Sequence, residues 1–393
     1  MKIVHVILAA PYREGFGYQE NLLARKHKEL GYDVSIITCD RYKTYRNLTP
    51  DESGIKRYVS PYGINVIVLP DNNNRLRRIP WFGMCFYKTK HLYSEIKQEK
   101  PDIIFAHGIQ LADHEDIVRY KRKHPDVKVY IDNHNDYYNG PVNTMKEKFQ
   151  RRVLGRTFVR DIARVSEKVW GVTPWRIDYL YDVYGLDSRN VDLLVMGGDE
   201  ELIHRECRPE IRKKFITEHN MPEDSFIVIT GGKIDKPKNT HLLIEAIERI
   251  DNPHLYLVVF GEYSHDMEHL KENKQPRIVN LGWIKADDVY DLFVLSDLAV
   301  FPGTHSVLWE QACASGIPGI FKDWDGGFAH VDVGGNCILL KEVTVKTLKQ
   351  QIEYILDNPS VYEKMKSIAE SVAMKEFSYK EIAKKSIEIK DAE

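Results

Sequence analysis

Short apolar runs alternate along this chain with polar, glycine-bearing turns and with stretches of helical periodicity. Ile3 to Ala10 reads as a buried strand; a polar loop with Gly15 and Gly17 follows, then the helix-like QENLLARKHKELG, then VSIIT. Strand, turn, helix and strand in that order predict a βαβ opening. Asn65 to Leu69, Asp102 to Phe105 and Val127 to Ile131 continue the strands, and Leu92 to Glu99 reads as a helix. Met145 to Trp170 is helix-like, although Phe149, Val153, Phe158, Ile162, Val165 and Val169 form no single stripe. VWGVTP closes this series, with Thr173 and Pro174 marking the change from strand to helix.

A second series begins after VDLLVMGGDEELI, where Gly197 and Gly198 permit a tight connection and Asp199 and Glu200 open a polar, helical region. MGGD serves there either chemistry or linker geometry. A charged helix around Pro209 to His219 leads into FIVITGG, HLLIEAIERI, YLVVFGE, a polar helix-like interval, RIVNLGW, DDVYDLFVLS and SDLAVFPG. Each series alternates strand and helix, so two doubly wound, parallel α/β sheets are expected. Length agrees: 393 residues exceed the usual single core, and two domains of about 190 residues each fit better. Their boundary is placed within 195–215.

Composition narrows the partners. The formal charge is -2, from 56 basic and 58 acidic side chains, so no basic excess marks a nucleic-acid binder. MKIVHVILAA shows no cleavable leader, and no run reaches the roughly 18 apolar residues that cross a bilayer. Five scattered cysteines, at 39, 85, 207, 313 and 337, lack a CxxC pair, which fits a reducing cytoplasm.

The candidate chemistry gathers after strands, where open α/β sheets bind ligands. FPGTHSVLWEQACASGIPG places Ser306 and Val307 at the start of a helix whose free N–H groups suit a phosphate, with Glu310 one turn in. Lys233 lies just beyond FIVITGG and Lys238 five residues later; the pair either neutralises a diphosphate or sits on a solvated loop. KPKN is not a Walker A sequence, which disfavours ATP hydrolysis. Gly15 and Gly17 form either a ligand loop or a simple turn, and not a GxGxxG fingerprint. His134, in DNHND, either bonds a substrate or braces its own loop, and His107, in AHGIQ, carries the same alternatives with structure favoured. His107, Asp113, His114 and Glu115 invite a metal reading, as do Asp323 and Asp325 in DWD, but neither has metal-site spacing. No metal site is expected.

Two stretches suggest an anionic membrane surface. Arg75, Arg77, Arg78, Lys88 and Lys90 flank Trp81, Phe82, Met84 and Phe86, and Met145 to Trp170 carries Lys146, Lys148, Arg151, Arg152, Arg156, Arg160, Arg164 and Lys168. Solvated helices packed on the domain are the alternative.

VFPGTHSVLWEQACASGIP, preceded by GGKIDKPKN and RIVNLGW, resembles the retaining nucleotide-sugar glycosyltransferases of the two-domain GT-B class, specifically family 4. GFGYQENLLARKHKELGYDV, the TP strand end and MGGD extend the resemblance over roughly residues 1–380. It implies two Rossmann-like domains facing across a cleft: an acceptor-side domain over 1–200 and a nucleotide-sugar-binding domain over 201–373. It also implies a carboxyl-terminal helix over 374–393, within SYKEIAKKSIEI, packing back on the first domain.

By the same resemblance, Lys233 and Lys238 hold the donor diphosphate and stabilise it as it leaves, Ser306 and Val307 lie near phosphate, and Glu310 contacts ribose. Gly15 and Gly17 line the first glycine loop, and His134 reaches the transferred sugar. The departing phosphate accepts the incoming hydroxyl's proton on the same face, so no covalent nucleophile is nominated. No cofactor is required; a nucleoside-diphosphate sugar is the donor, and a saccharide, plausibly lipid-linked and used in surface polysaccharide or glycolipid synthesis, is the acceptor. The chain departs from the family's common form in lacking an earlier glutamate between Pro302 and Ser306, and in DWDGGFAHVDVGGN. A noncatalytic nucleotide-sugar sensor or membrane-associated scaffold is the reading from another class; a sugar phosphorylase lacks a lysine motif for pyridoxal phosphate here.

Overall fold

The computed structural model describes residues 1–9, 12–40, 44–71, 88–109, 111–272 and 275–389. Its chain divides into two compact units, Met1–Leu194 with Ala383–Glu393, and Val195–Ile382. That division sets the crossovers at 194–195 and 382–383, where the sequence suggests 200–201 and 373–374. Both units are α/β with largely parallel sheets, the Rossmann-like pair expected of GT-B proteins.

In unit 1 the strands are β1 Lys2–Ile7, β2 Asp33–Cys39, β3 Lys56–Val59, β4 Asn65–Leu69, β5 Ile103–His107, β6 Lys128–Asn133, β7 Lys168–Gly171 and β8 Val191–Leu193. They lie in the order β3-β4-β2-β1-β5-β6-β7-β8. Consecutive connections wind one way from β1 to β2 and the other way from β5 to β8, so the order reverses between β1 and β5. One departure from the expected parallel sheet is β3, which pairs antiparallel with β4. Its sequence KRYV carries a single aliphatic residue and its burial alternates, as befits an edge strand and not an apolar run.

Alternation along the central strands gives this sheet two chemically different faces. Val4, Val6, Ile104, Ala106, Val129, Ile131 and Val169 point into an aliphatic core. The alternate positions His5, Phe105, His107, Tyr130, Asp132 and Trp170 are just as buried yet polar or aromatic. Helix α1, Gln19–Glu29, reaches that second face through His27. The last helix spans Tyr379–Ser386. Its unit-1 end also reaches this face: Trp170 Nε1 donates to Ser386 O at 2.9 Å and Tyr130 Oη to Ile387 O at 3.2 Å.

Several sequence-derived boundaries move. β1 stops at Ile7 and not at Ala10, which lies outside the described residues. The helical stretch from Met145 ends at Val165, because Lys168, Val169 and Trp170 pair with β6 in β7. Asp199 caps only a short 3-10 turn, Glu200–Leu202, and the polar interval is the 3-10 helix His265–Glu272.

Unit 2 carries β9 Phe226–Gly231, β10 Leu255–Phe260, β11 Ile278–Gly282, β12 Leu298–Phe301, β13 Gly319–Lys322 and β14 Cys337–Leu340, all parallel, in the order β11-β10-β9-β12-β13-β14. Here the reversal falls between β9 and β12. The loops after these two strands therefore meet, and they are the loops that contain Lys233–Lys238 and Pro302–Val307.

Candidate functional site

In unit 2 the turn after β12 is clamped by the 3-10 turn Lys236–Lys238. Thr304 N donates to Pro237 O at 3.1 Å, and Asn239 Nδ2 donates to Pro302 O at 3.0 Å. Lys238 Nζ donates to Thr304 O at 2.6 Å and to His305 O at 3.2 Å. The approach is close enough that a Cβ on Gly303 would come within 2.3 Å of the Lys238 backbone. Burial strips water from the Lys238 ammonium and lowers its pKa to about 8; Asp235 opposes the shift and the charge of Lys233 adds to it. Lys233 itself is exposed, with Nζ 3.2 Å from Asp235. The two cations are thus brought together, one held at the turn and the other reaching from the surface.

The helix that follows runs Leu308–Ala314, with Val307 at its N-cap, one residue later than the sequence suggests. Among the described residues no side chain caps it; Trp309 N turns back to Ser306 O at 3.0 Å, and no side chain takes the N–H groups of Leu308 and Glu310. Ser306 Oγ is buried and has no hydrogen-bond partner among the described residues. A buried hydroxyl in that state is unusual.

Glu310 is fully buried. Its Oε1 accepts from His305 Nε2 at 2.8 Å and His330 Nε2 at 2.9 Å, while Oε2 has no partner among the described residues. Burial pushes its carboxyl pKa up, but the two imidazoles overcome that and hold it well below the usual range. The His305 ring stacks on Phe328 at 4.2 Å, which fixes the donor. The ligand atoms of His305, Glu310 and His330 lie within 4.8 Å of one another, a set that a transition-metal ion accepts. Both Nε2 atoms stand at hydrogen-bonding distance from the same oxygen, which is the geometry of a buried carboxylate satisfied by two N–H donors. Sequence reasoning did not connect His330 with Glu310. Twenty positions separate them, and only the fold brings the 3-10 turn Ala329–Val331 onto the helix.

In unit 1, Gly15 and Gly17 lie in the exposed loop after β1, and a Cβ on either would meet nothing within 4 Å among the described residues. Gly15 has φ +74, which favours glycine there; Gly17 has no such constraint. His134 follows β6 and is partly exposed, with Nε2 3.5 Å from Asp132 Oδ1. Burial works against its charged form, and Asp132 outweighs it, raising the pKa above the ordinary 6.5. His107 is buried, Nδ1 lying 2.7 Å from Asp132 Oδ2.

The remaining metal readings dissolve into structure. Asp113 accepts from Thr89 N and Oγ1, Glu115 pairs with Lys88, and Asp323 accepts from Gly326 N in a turn where Asp325 has φ 52. Gly197 and Gly198 serve packing: a Cβ on Gly197 would sit 2.1 Å from Phe377 O, and Gly198 N donates to that same oxygen.

Of the first membrane-directed stretch, Arg75, Arg77, Arg78, Trp81, Phe82, Met84 and Phe86 lie outside the described residues. In the second, Arg152 pairs with Asp182, Arg160 donates to Tyr184 O and Gly185 O, and Lys168 faces Asp192. Met145 and Val153 are exposed there, whereas Val159 and Ile162 are core. No helix among the described residues is long and apolar enough to cross a membrane.

Comparison with known proteins agrees with this layout. Residues 211–372 match the family described as "Glycosyl transferases group 1", so the part of unit 2 that holds Lys233, Lys238 and Glu310 is similar to a glycosyltransferase domain. Mannosylfructose-phosphate synthase of Agrobacterium fabrum is 24% identical over 213 residues, 49% of this chain and 44% of that protein, so the match spans less than half of that relative. A glycosyltransferase from Rickettsia africae superposes with a TM-score of 0.68 at 16% identity, covering 99% of this chain and 97% of the other. HepE of Anabaena, solved with UDP and glucose, gives 0.62 at 17% identity over 98% of each chain. These likenesses establish the GT-B type of fold.

Proposed function

We propose that this chain is a retaining glycosyltransferase of family 4, moving a sugar from a nucleoside diphosphate to a hydroxyl of a saccharide acceptor. The observation that carries the reading is the turn after β12. There Lys238, desolvated and reaching in from the loop after β9, meets a turn that carries a Ser306 hydroxyl without a partner among the described residues and a helix start without a side-chain cap. A diphosphate supplies what all three lack. Charge grows on it as the glycosidic bond breaks, so cations and dipoles fixed beforehand stabilise the transition state more than the ground state. Lys233 adds a mobile charge. The partnerless Oε2 of Glu310 takes a ribose hydroxyl, with His305 and His330 holding the carboxylate ionised.

His134 contacts the transferred sugar, and the open backbone at Gly15 and Gly17 admits donor phosphate and acceptor. The leaving phosphate takes the acceptor's proton on the same face, so no covalent enzyme intermediate forms. The charge-neutralising work falls to side chains and backbone, and no cofactor or metal is needed in this reading. The acceptor is lipid-linked, and the basic, aromatic stretch around Trp81 and Phe82 meets an anionic membrane on the cytoplasmic side.

Incubating the protein with labelled sugar nucleotides and a lipid-linked saccharide fraction, with and without chelator, tests the whole reading. Transfer that survives the chelator, with the anomeric configuration of the donor kept in the product, is expected. Donor binding without transfer to any acceptor would refute the enzyme and leave a sensor.

A further inference from the structure

The polar face of the unit-1 sheet holds an unbroken row of imidazoles. His27 Nε2 lies 3.0 Å from Ala383 O and 3.1 Å from Ser386 Oγ, in the last helix. His27 Nδ1 is 3.0 Å from His5 Nε2, His5 Nδ1 is 3.0 Å from His107 Nε2, and His107 Nδ1 is 2.7 Å from Asp132 Oδ2. All three rings and Asp132 are buried.

Counting protons fixes the tautomers. A carbonyl only accepts, and Ser386 Oγ already donates to Ala383 O at 2.8 Å, so His27 Nε2 carries the hydrogen. A neutral imidazole has one N–H, which leaves His27 Nδ1 as acceptor and makes His5 Nε2 the donor. By the same step His5 Nδ1 accepts, and His107 Nε2 donates. His107 Nδ1 then faces a carboxylate. Four links need four protons, and three neutral rings supply three. The extra proton belongs to His107 and Asp132. Gly108 N donates to Asp132 Oδ1 at 2.9 Å and His134 Nε2 stands 3.5 Å from the same oxygen, which favours the ionised carboxylate and places the proton on the ring. Burial lowers the pKa of His5 and His27, in keeping with neutral rings there; for Asp132 burial acts upward, but His107 and His134 hold it far below the usual range.

We infer that His27, His5 and His107 are positioning residues for His134: their chain seats one extra proton on His107, which neutralises Asp132 from behind. Asp132 then stands 3.5 Å from His134 Nε2, and the charge on His107 limits how strongly it draws a second positive charge to that ring, which meets a sugar hydroxyl. This last clause rests on the reading of His134 as a sugar contact. The other charged groups within reach of His134 are Glu20 and Arg176, and the buried His114 also senses Asp132. The chain ties this arrangement to the last helix, because the direction of every hydrogen bond is set at Ala383 O.

Nitrogen NMR of the full-length protein labelled with 15N-histidine, assigned with single His→Gln variants, reads the rings directly at pH 7. His107 should be protonated on both nitrogens, and His5 and His27 on Nε2 alone. A neutral His107, or His5 and His27 protonated on Nδ1, overturns the proposal. His107→Gln keeps a donor toward Asp132 but no charge, so the pKa of His134 should rise by at least one unit and kcat should fall about tenfold with donor KM little changed. A folded His107→Gln protein in which neither quantity moves also overturns it. If His134→Ala leaves transfer intact, the assignment of His134 to the sugar fails, and the ring states still decide the proton chain.

Discussion

At the scale of single residues the account turns on Lys238 and Glu310. A lysine whose pKa burial lowers to about 8 is cationic below that pH and neutral above it. Since kcat/KM reports the free enzyme, donor kcat/KM should fall as pH rises through about 8. In Lys238→Arg, whose charge does not titrate there, that limb should vanish; a limb unchanged by the substitution would show that another group titrates. Glu310 has the opposite sign. Its folded pKa lies below the unfolded value of 4.5, so the stability it contributes is fully present above 4.5 and is lost as pH falls below it. Urea unfolding should show Glu310→Gln less stable than wild type by about 1–3 kcal/mol at neutral pH. The gap should narrow on acidification below 4.5, and a constant gap would count against the ionised pair. Lys238 and Glu310 were legible because each stands at a fixed place after a strand. His330 was not, since its relation to Glu310 is created by a chain return that no local pattern encodes. His5 left a trace, as the histidine amid the apolar run IVHVI, but its partners His27 and His107 come from two other elements.

At the scale of elements, the apolar strands up to β12 announced themselves, whereas β13 and β14, GIFK and CILL, did not. Those that pair through polar residues did not, as β3 shows with KRYV. Helices gave clearer beginnings than ends: Thr173 with Pro174 marks a start that the structure keeps, with Thr173 Oγ1 accepting from Arg176 N. The end at Val165 was hidden because Val169 continues the apolar spacing on a strand. Contacts between loops carry the next predictions. Gly303→Ala forces apart two backbones that now touch, so it should destabilise the protein by about 1–3 kcal/mol and weaken donor binding by moving Lys238. Calorimetry beside a donor titration checks both, and binding kept at wild-type strength would argue against the clamp. Truncation after Ile382 removes the acceptors of His27 Nε2, Tyr130 Oη and Trp170 Nε1, leaving buried donors unpaired. A loss of about 1–3 kcal/mol for each donor left unpaired is expected in denaturant unfolding.

At the scale of the whole molecule, each unit is a doubly wound sheet with one reversal of strand order, and that topology decides which loops meet. The two-series alternation of strand and helix made this legible from sequence. The chain leaves the second unit within the helix Tyr379–Ser386, inside the stretch SYKEIAKKSIEI, and the periodicity of that helix does not mark the residue at which it does so. For the membrane proposal, flotation with anionic vesicles should be lost when Trp81 and Phe82 are made polar, and flotation indifferent to both lipid charge and substitution would end it. The most direct test of the central claim is a screen of nucleoside-diphosphate sugars in which release of the nucleoside diphosphate is followed by mass spectrometry for wild type and Lys238→Ala. The account predicts that one donor class is consumed in the presence of a saccharide acceptor, with turnover reduced at least about a hundredfold in the variant. Consumption that proceeds equally well without Lys238, or no binding of any sugar nucleotide by the folded wild type, would contradict it.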